Sequence, residues 1–154
     1  DMMKCYETRT RSGDIHAKPI CDFISQNFDK LTSLSPEEIL EKLRIQNIQN
    51  LGSVYLITLV SFITKGEYPI FDRFAQVAVS AIISGAKPGA YIEEKALSDR
   101  KSNAKAIINR CDSIYVDSLK YVFGERYKQN RDIDRALWVY GHLFESDKKK
   151  AKQV

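Results

Sequence analysis

The stretch Glu67–Ala78, EYPIFDRFAQVA, marks a point in the chain where an extended segment runs directly into a helix. Pro69 favours an extended backbone at the residue before it, whereas the apolar residues after Asp72 recur at helical spacing. Aspartate is among the residues preferred at a helix N-cap, so the helix is predicted to begin at Asp72. Carboxylates also stabilise positive charge in active sites, and Asp72 is therefore a candidate for two roles.

Helical periodicity extends over most of the chain on both sides of this stretch. Ser35 and Glu38 form a capping-box pattern with Pro36 at the first helical position. Helices are predicted over 15–28, from 36 onward, and over 53–64, 73–84, 103–111, 112–123 and 131–144, with a loop over 85–89 and a short helix or turn over 91–97. No internal repeat and no convincing pair of strands is evident. The sequence therefore predicts an all-α protein with about seven or eight helices.

Length and composition are those of one globular unit. The chain has 154 residues, of which 44% are hydrophobic, so it is long enough to bury a core. We expect a flexible arm over 1–14, a single helical domain over 15–144 and a basic tail over 145–154. The net charge of +4 permits an anionic partner such as DNA without requiring one.

The cysteines indicate the setting in which the protein works. Cys5, Cys21 and Cys111 are widely spaced and contain no CxxC pair, which argues against a disulfide framework and against a zinc site. We expect no metal, no cofactor and a reducing, cytoplasmic location. The longest apolar stretch, 54–63, is too short to span a bilayer, so no membrane partner is expected. No secretory signal is visible. The sequence starts with Asp1, so whether further residues precede it is left open.

Two neighbouring pieces of the sequence resemble the signature of the helix-hairpin-helix DNA glycosylase superfamily. The first runs from Leu43 to Ile63 and contains the turn IQNLG (48–52) ahead of an apolar helix; the second is YPIFD (68–72). The likeness is greatest to the uncharacterised bacterial branch related to 8-oxoguanine glycosylases, in which a glycine-containing hairpin precedes Pro-Val-Asp at the head of a helix. Gly52 matches the second hairpin glycine, and Asp72 matches the catalytic aspartate. The final helix, 134–142, also looks like the C-terminal helix of that branch.

This resemblance implies a multi-helix bundle that binds duplex DNA in base excision repair. It implies a hydrolase that cleaves the N-glycosidic bond of a damaged base, with Asp72 as the catalytic carboxylate. The implied DNA contacts are the hairpin residues Asn50, Leu51, Gly52 and Ser53 together with Arg73. The candidates for a base pocket are Tyr68, Phe71 and Trp138, since a flipped base needs stacking partners.

The chain also departs from the family pattern in ways that bear on chemistry. Asn50 stands where the first hairpin glycine would be. No lysine stands near Val54, where the catalytic lysine of the bifunctional glycosylases would fall. Lyase chemistry through a Schiff base needs that amine, so hydrolysis without lyase activity is the expectation. No cysteine cluster for an iron–sulfur centre is present.

Each candidate residue also has a purely structural interpretation. The hairpin residues suit an ordinary helix–helix turn, Asp72 suits a cap, and aromatic residues at this spacing commonly lie in a core. The alternative is therefore a non-catalytic helical module that binds DNA or a protein partner. A catalytic protein requires Asp72 on the wall of a cleft, whereas an interaction module would bury Asp72 or leave it on a flat surface.

Overall fold

The computed structural model describes residues 18–46, 51–97 and 102–146, and these form an all-α structure as the sequence predicts. Seven α-helices lie in these ranges: α1 Lys18–Leu31, α2 Pro36–Ile45, α3 Ser53–Ile63, α4 Arg73–Ser84, α5 Ala104–Cys111, α6 Asp117–Phe123 and α7 Arg131–Gly141. A π-helical segment, Asp112–Val116, joins α5 to α6, and a 3-10 turn, Gly124–Tyr127, follows α6.

The start of α2 shows how local sequence fixes a helix boundary. The Ser35 hydroxyl accepts a hydrogen bond from the Glu38 N–H at 3.3 Å, and the Ser35 N–H donates to Glu38 Oε2 at 2.8 Å. Pro36 occupies the first turn, where its missing N–H costs nothing. The predicted capping box is confirmed, and it ends the short connection between α1 and α2.

The core is built around α3 and the inner faces of the other helices. The buried face of α3 carries Leu56, Ile57, Val60 and Ile63, which accords with its nearly continuous apolar sequence. The most extensive contact between helices is that of α4 with α7. Gly141 permits this contact, because a Cβ at that position would overlap the main-chain carbonyl of Phe74.

The predicted helices 103–111 and 112–123 form one continuous helical stretch instead of two separate helices. The π-helical segment is inserted between α5 and α6 without a break. Segments of this kind are rare and occur mostly as single wide turns inside α-helices, frequently at functional sites. Here the segment contains both Asp112 and Tyr115.

Residues 91–97 contain no helix or turn, and Tyr91 forms an isolated parallel bridge with Glu145, so the predicted short helix or turn is wrong. The Ile92 N–H donates to the Glu145 carbonyl at 2.9 Å. The Lys95 N–H donates to Oε1 of the buried Gln76 at 3.0 Å. These partners are distant in sequence, and they supply hydrogen bonds to the backbone N–H groups without a helix. The local sequence pattern therefore gave the wrong prediction for this segment.

The beginning of the predicted basic tail is attached to the body of the protein. The Glu145 N–H donates to the Ala90 carbonyl at 3.1 Å, beside the bond from Ile92. Residues 147–154, and the arm predicted over 1–14, lie outside the described residues. Within the described ranges, every helix is too short or too polar to cross a membrane.

Candidate active site: a pocket at Asp72

Asp72 caps α4 with only one of its two carboxylate oxygens. Oδ1 accepts hydrogen bonds from the main-chain N–H groups of Phe74 at 2.8 Å and Ala75 at 3.2 Å. Among the described residues, Oδ2 accepts no hydrogen bond. One oxygen therefore satisfies the first turn of the helix, and the other is available to a ligand.

Asp72 also lies on the wall of an open pocket of about 490 Å³. That volume falls within the range common for small-molecule sites, roughly 300–1,000 Å³. The pocket lies between the start of α4, the π-helical segment and α7. Its other lining residues are Ile70, Ala75, Tyr115, Arg131, Asp134, Arg135, Trp138 and Val139.

One face of α7 supplies most of the polar groups of the pocket. Arg131, Asp134, Arg135 and Trp138 are three or four positions apart, so they project from the same side of the helix. The indole of Trp138 is half exposed, and its ring centroid lies 6.3 Å from that of Phe74 in an edge-to-face arrangement. The His142 ring also packs against the indole, with centroids 4.2 Å apart, so contacts with Phe74 and His142 hold the tryptophan and its remaining exposed surface lines the pocket.

Asp134 is the second carboxyl group of the pocket. Burial raises its pKa from 3.8 to about 6, while the positive charge of Arg131 opposes the shift. The side chain is neutral in mildly acidic solution and becomes negative above that pH. Asp72 and Asp134 thus reach one cavity from two helices, the first from the start of α4 and the second from α7.

Tyr115 adjoins this pocket and carries a buried hydroxyl group. The side chain is fully buried, and within the described ranges its Oη has no hydrogen-bond partner. Burial raises the pKa of Tyr115 well above its usual value, and the charges of Asp134, Cys111 and Asp72 add to the effect. The hydroxyl is therefore neutral in ordinary buffers and is a potential donor that the protein itself leaves unused.

Two of the three predicted base-pocket residues lie in the core instead of on the pocket wall. The Tyr68 hydroxyl donates to Asp112 Oδ1 at 2.9 Å, and the side chain is buried. Phe71 is also buried and packs edge-to-face against Tyr115, with ring centroids 5.5 Å apart. Of the three candidates, Trp138 is the one that lines the pocket.

The predicted DNA-binding hairpin is described from Leu51 onward, and Asn50 lies outside the described residues. Leu51 packs against the core, and Ser53 is buried in the first turn of α3. Gly52 is the N-cap of α3, in an extended conformation without a side-chain cap. A Cβ added at Gly52 would meet no atom of the described residues within 4 Å.

Arg73, the remaining predicted DNA contact, lies on the surface beside the cap of α4. Its guanidinium group lies 4.5 Å from the ring centroid of Phe74 and 3.9 Å from a carboxylate oxygen of Glu94. The side chain is more than half exposed, so this ion pair contributes little to stability and leaves the charge accessible.

Sequence reasoning missed two groups of the pocket, Asp134 and Tyr115. The spacing of Asp134 and Trp138, four residues apart on a predicted helix, was a usable signal, because it places both on one face. No comparable spacing in the sequence marks Tyr115. Its position next to the pocket depends on the π-helical segment, and its unpaired hydroxyl is visible only in the folded structure.

Comparisons of the chain with protein-family models, with curated proteins and with solved structures find no match. Among the described residues, no group of three or more histidine, cysteine, aspartate or glutamate side chains is arranged to hold a metal ion. The pocket itself offers carboxyl, guanidinium and aromatic groups.

Proposed function

We propose that the protein binds duplex DNA and hydrolyses the N-glycosidic bond of a damaged base, with Asp72 as the essential carboxylate. The observation that carries the proposal is the position of Asp72 on the wall of an open pocket that also presents the half-exposed Trp138. A carboxylate beside an aromatic surface in a concave site is the arrangement needed for a base turned out of the duplex.

The two oxygens of the Asp72 carboxylate differ in their hydrogen bonds, and this difference supports the proposed chemistry. Hydrogen bonds from Phe74 and Ala75 hold Oδ1, which fixes the orientation of the whole carboxylate. Oδ2 then faces positive charge that develops on the deoxyribose as the bond to the base breaks. Water completes the reaction, because the hairpin region carries no lysine at the position that a Schiff base would need.

The start of α3 is the proposed contact to the DNA backbone. The positive end of a helix dipole attracts phosphate, and the absence of described atoms near a Cβ at Gly52 would let a phosphate approach the main chain closely. Arg73 adds an exposed positive charge next to the Asp72 pocket. These contacts would give affinity without sequence preference.

The alternative is a non-catalytic module that binds DNA or a protein partner. The observation that favours it is the exposure of apolar side chains at the end of α7 and just after it. Val139 is 60% exposed and Leu143 is 50% exposed, close in sequence to Trp138. Exposed apolar side chains that lie close together are common where another molecule docks.

The first test is the anisotropy of a labelled duplex that contains an abasic-site analogue, titrated with protein at two salt concentrations. The proposal predicts binding that weakens with salt and that favours the analogue over a plain duplex. A panel of duplexes with single damaged bases then tests base release. No binding at low salt would exclude the DNA function altogether.

Base release is assigned to Asp72 by comparing Asp72→Asn with Asp22→Asn, which removes one exposed negative charge from α1. We expect Asp72→Asn to abolish release while retaining binding, and Asp22→Asn to retain both. Equal activity of the Asp72→Asn protein would contradict the catalytic role of this residue.

A further inference from the structure

A second cavity, which we call the Lys65 cavity, adjoins the pocket at Asp72. It has a volume of about 330 Å³ and lies between the end of α3, the residues that follow it and the start of α7. The two cavities have Ile70, Arg131 and Asp134 in common, so they meet at the first turn of α7. The reaction proposed above makes no use of the Lys65 cavity.

Main-chain contacts connect the two sides of the Lys65 cavity. The Gln129 N–H donates to the Gly66 carbonyl at 3.0 Å. A Cβ at Gly66 would lie 3.1 Å from the Gln129 Cα, so the two chain segments touch at this point. Lys65 and Arg131 lie within two residues of the contact, which therefore fixes the backbone that carries both cationic side chains of the cavity.

These two cationic side chains have no close counter-ion in the described ranges. Neither Lys65 nor Arg131 forms a salt bridge there. The glutamates on the two connected segments, Glu67 and Glu125, pair instead with Lys128, at 3.9 Å and 2.6 Å. Positive charge that lines a concave site and is left without such a partner attracts anions.

Asn130 adds a hydrogen-bond donor of fixed orientation to the lining of the Lys65 cavity. As the N-cap of α7, its Oδ1 accepts from the main-chain N–H groups of Asp132 at 3.2 Å and Ile133 at 3.3 Å. Because the oxygen is bound in the cap, the NH₂ group of the amide is the part left for a ligand, and it makes no hydrogen bond within the described ranges. Ammonium, guanidinium and amide N–H groups are the donors that bind phosphate oxygens.

Asp134 is the one acidic residue in the described lining of the Lys65 cavity. Burial raises the pKa of this carboxyl group to about 6, so it is ionised at pH 7.5. The two positive charges of Lys65 and Arg131 less this one negative charge leave a single positive charge in excess. That excess suits the single negative charge of a phosphodiester.

We propose that the Lys65 cavity binds a phosphate group of the DNA strand, the one next to the nucleotide whose base enters the pocket at Asp72. Because the two cavities share part of their lining, one nucleotide and its adjoining phosphate can occupy both. The inference rests on the proposed function, which supplies DNA as the source of the phosphate. It adds a contact that is separate from those proposed at Gly52 and Arg73.

The first experiment measures the anisotropy of the labelled abasic-analogue duplex at several salt concentrations for the parent and for Lys65→Met. Lys65 lines this cavity and not the pocket at Asp72, so its loss leaves that pocket intact. We expect Lys65→Met to weaken binding roughly tenfold at low salt and to reduce the slope of log affinity against log salt by about 0.9, the effect of one lost phosphate contact.

Two further variants serve as controls for the lost charge. Lys65→Arg keeps the positive charge in the cavity and should retain the slope of the parent. Lys87→Met removes one exposed lysine from the 85–89 loop, outside the described lining, and should also retain it. A thermal melt of each variant establishes that it is folded.

The second experiment separates DNA from a small phosphate ester as the ligand. The NMR signals of the Asn130 side-chain NH₂ group are followed in the full chain at pH 7.5 during titration with deoxyribose 5-phosphate, and deoxyribose is the matched control. We expect saturable shifts with the phosphate alone and weaker binding in Lys65→Met. Asp134→Asn should bind the phosphate about threefold more tightly, because it removes the negative charge of the cavity, whereas Asp22→Asn should not.

The outcomes distinguish this inference from the proposed function. DNA binding with the same salt slope in Lys65→Met and Lys87→Met would overturn the inference and leave the proposed function in place. A reduced slope in Lys65→Met alone supports the inference, and it does so even where the small phosphate ester does not bind. If the parent ignores DNA but binds deoxyribose 5-phosphate through Lys65, the proposed function and the DNA source are both rejected. No response to either ligand would overturn both proposals.

Discussion

Gly141 of α7 packs directly on the main-chain carbonyl of Phe74 in α4, with no room for a side chain between them. Both helices contribute to the lining of the pocket, with Asp72 at the start of α4 and Asp134 on α7. The absence of a Cβ at Gly141 therefore permits the close approach of the two helices that carry the carboxyl groups.

The variant Gly141→Ala is expected to lower the free energy of unfolding by about 2–3 kcal/mol, as overpacking of a close contact does. Alanine is the better helix former by about 1 kcal/mol, so a net loss can come only from the overlap with Phe74. Urea denaturation measures the change. Gly52→Ala is the control, since it adds the same methyl group to open space and alters only a helix cap, at a cost below about 1 kcal/mol. Equal losses in the two variants would contradict the importance of this contact.

The parts of the fold that the sequence predicted correctly depend on nearby residues. The capping box of Ser35 and Glu38 and the cap at Asp72 both join groups within three positions of each other. Residues 91–97 were predicted wrongly because their backbone partners, Gln76 and Glu145, are far away in the chain. Local pattern carries no information about such partners.

The candidate site was predictable only in part for a related reason. Aromatic residues near Asp72 have the same sequence signature in a core and in a pocket, and packing placed Tyr68 and Phe71 in the core. Trp138 lies off the buried stripe of α7, a difference that helical periodicity reveals. The orphan state of Tyr115 depends on the whole tertiary environment and leaves no trace in the sequence.

Tyr115→Phe is expected to stabilise the protein. A buried hydroxyl without a partner costs roughly 1–3 kcal/mol, and phenylalanine fills the same space without that cost. We expect a gain of about 1 kcal/mol, or a rise in Tm of roughly 2–4 °C for a chain of this size. Calorimetry measures it, with Tyr121→Phe expected to stay within about 0.5 kcal/mol of the parent. A clear loss of stability in Tyr115→Phe would show that the hydroxyl has a partner in the folded protein.

Asp134→Asn is expected to change how stability depends on pH. Below about pH 4 the carboxyl group is protonated in both the folded and the unfolded chain, so it favours neither. Between pH 4 and 6 the unfolded chain releases the proton while the folded protein retains it, because burial raises the pKa to about 6. This group therefore lowers the stability of the parent as the pH rises through that window, and the cost is complete above it.

The asparagine variant lacks this cost, so its stability relative to the parent should rise between pH 4 and pH 7. A shift of about two units corresponds to roughly 3 kcal/mol, which partial exposure of the side chain to solvent reduces to about 1–2 kcal/mol. Urea denaturation at several pH values measures the difference, and Asp22→Asn controls for the loss of one negative charge. A difference that is constant with pH would mean that Asp134 is not desolvated in the folded protein.

Two substitutions of Asp72 separate its capping role from its chemical role. Asparagine caps helices as well as aspartate does, so Asp72→Asn should preserve the bonds to Phe74 and Ala75 and change the free energy of unfolding by less than about 0.5 kcal/mol. Alanine has no acceptor, and Asp72→Ala should lose about 1 kcal/mol. Chemical denaturation measures the stability of both variants, and base release from a damaged duplex measures their activity. The two measurements are independent of each other. The proposed function requires that both variants lose base release although only one loses stability. If release instead follows stability, with Asp72→Asn active and Asp72→Ala impaired, the carboxylate is only the cap of α4.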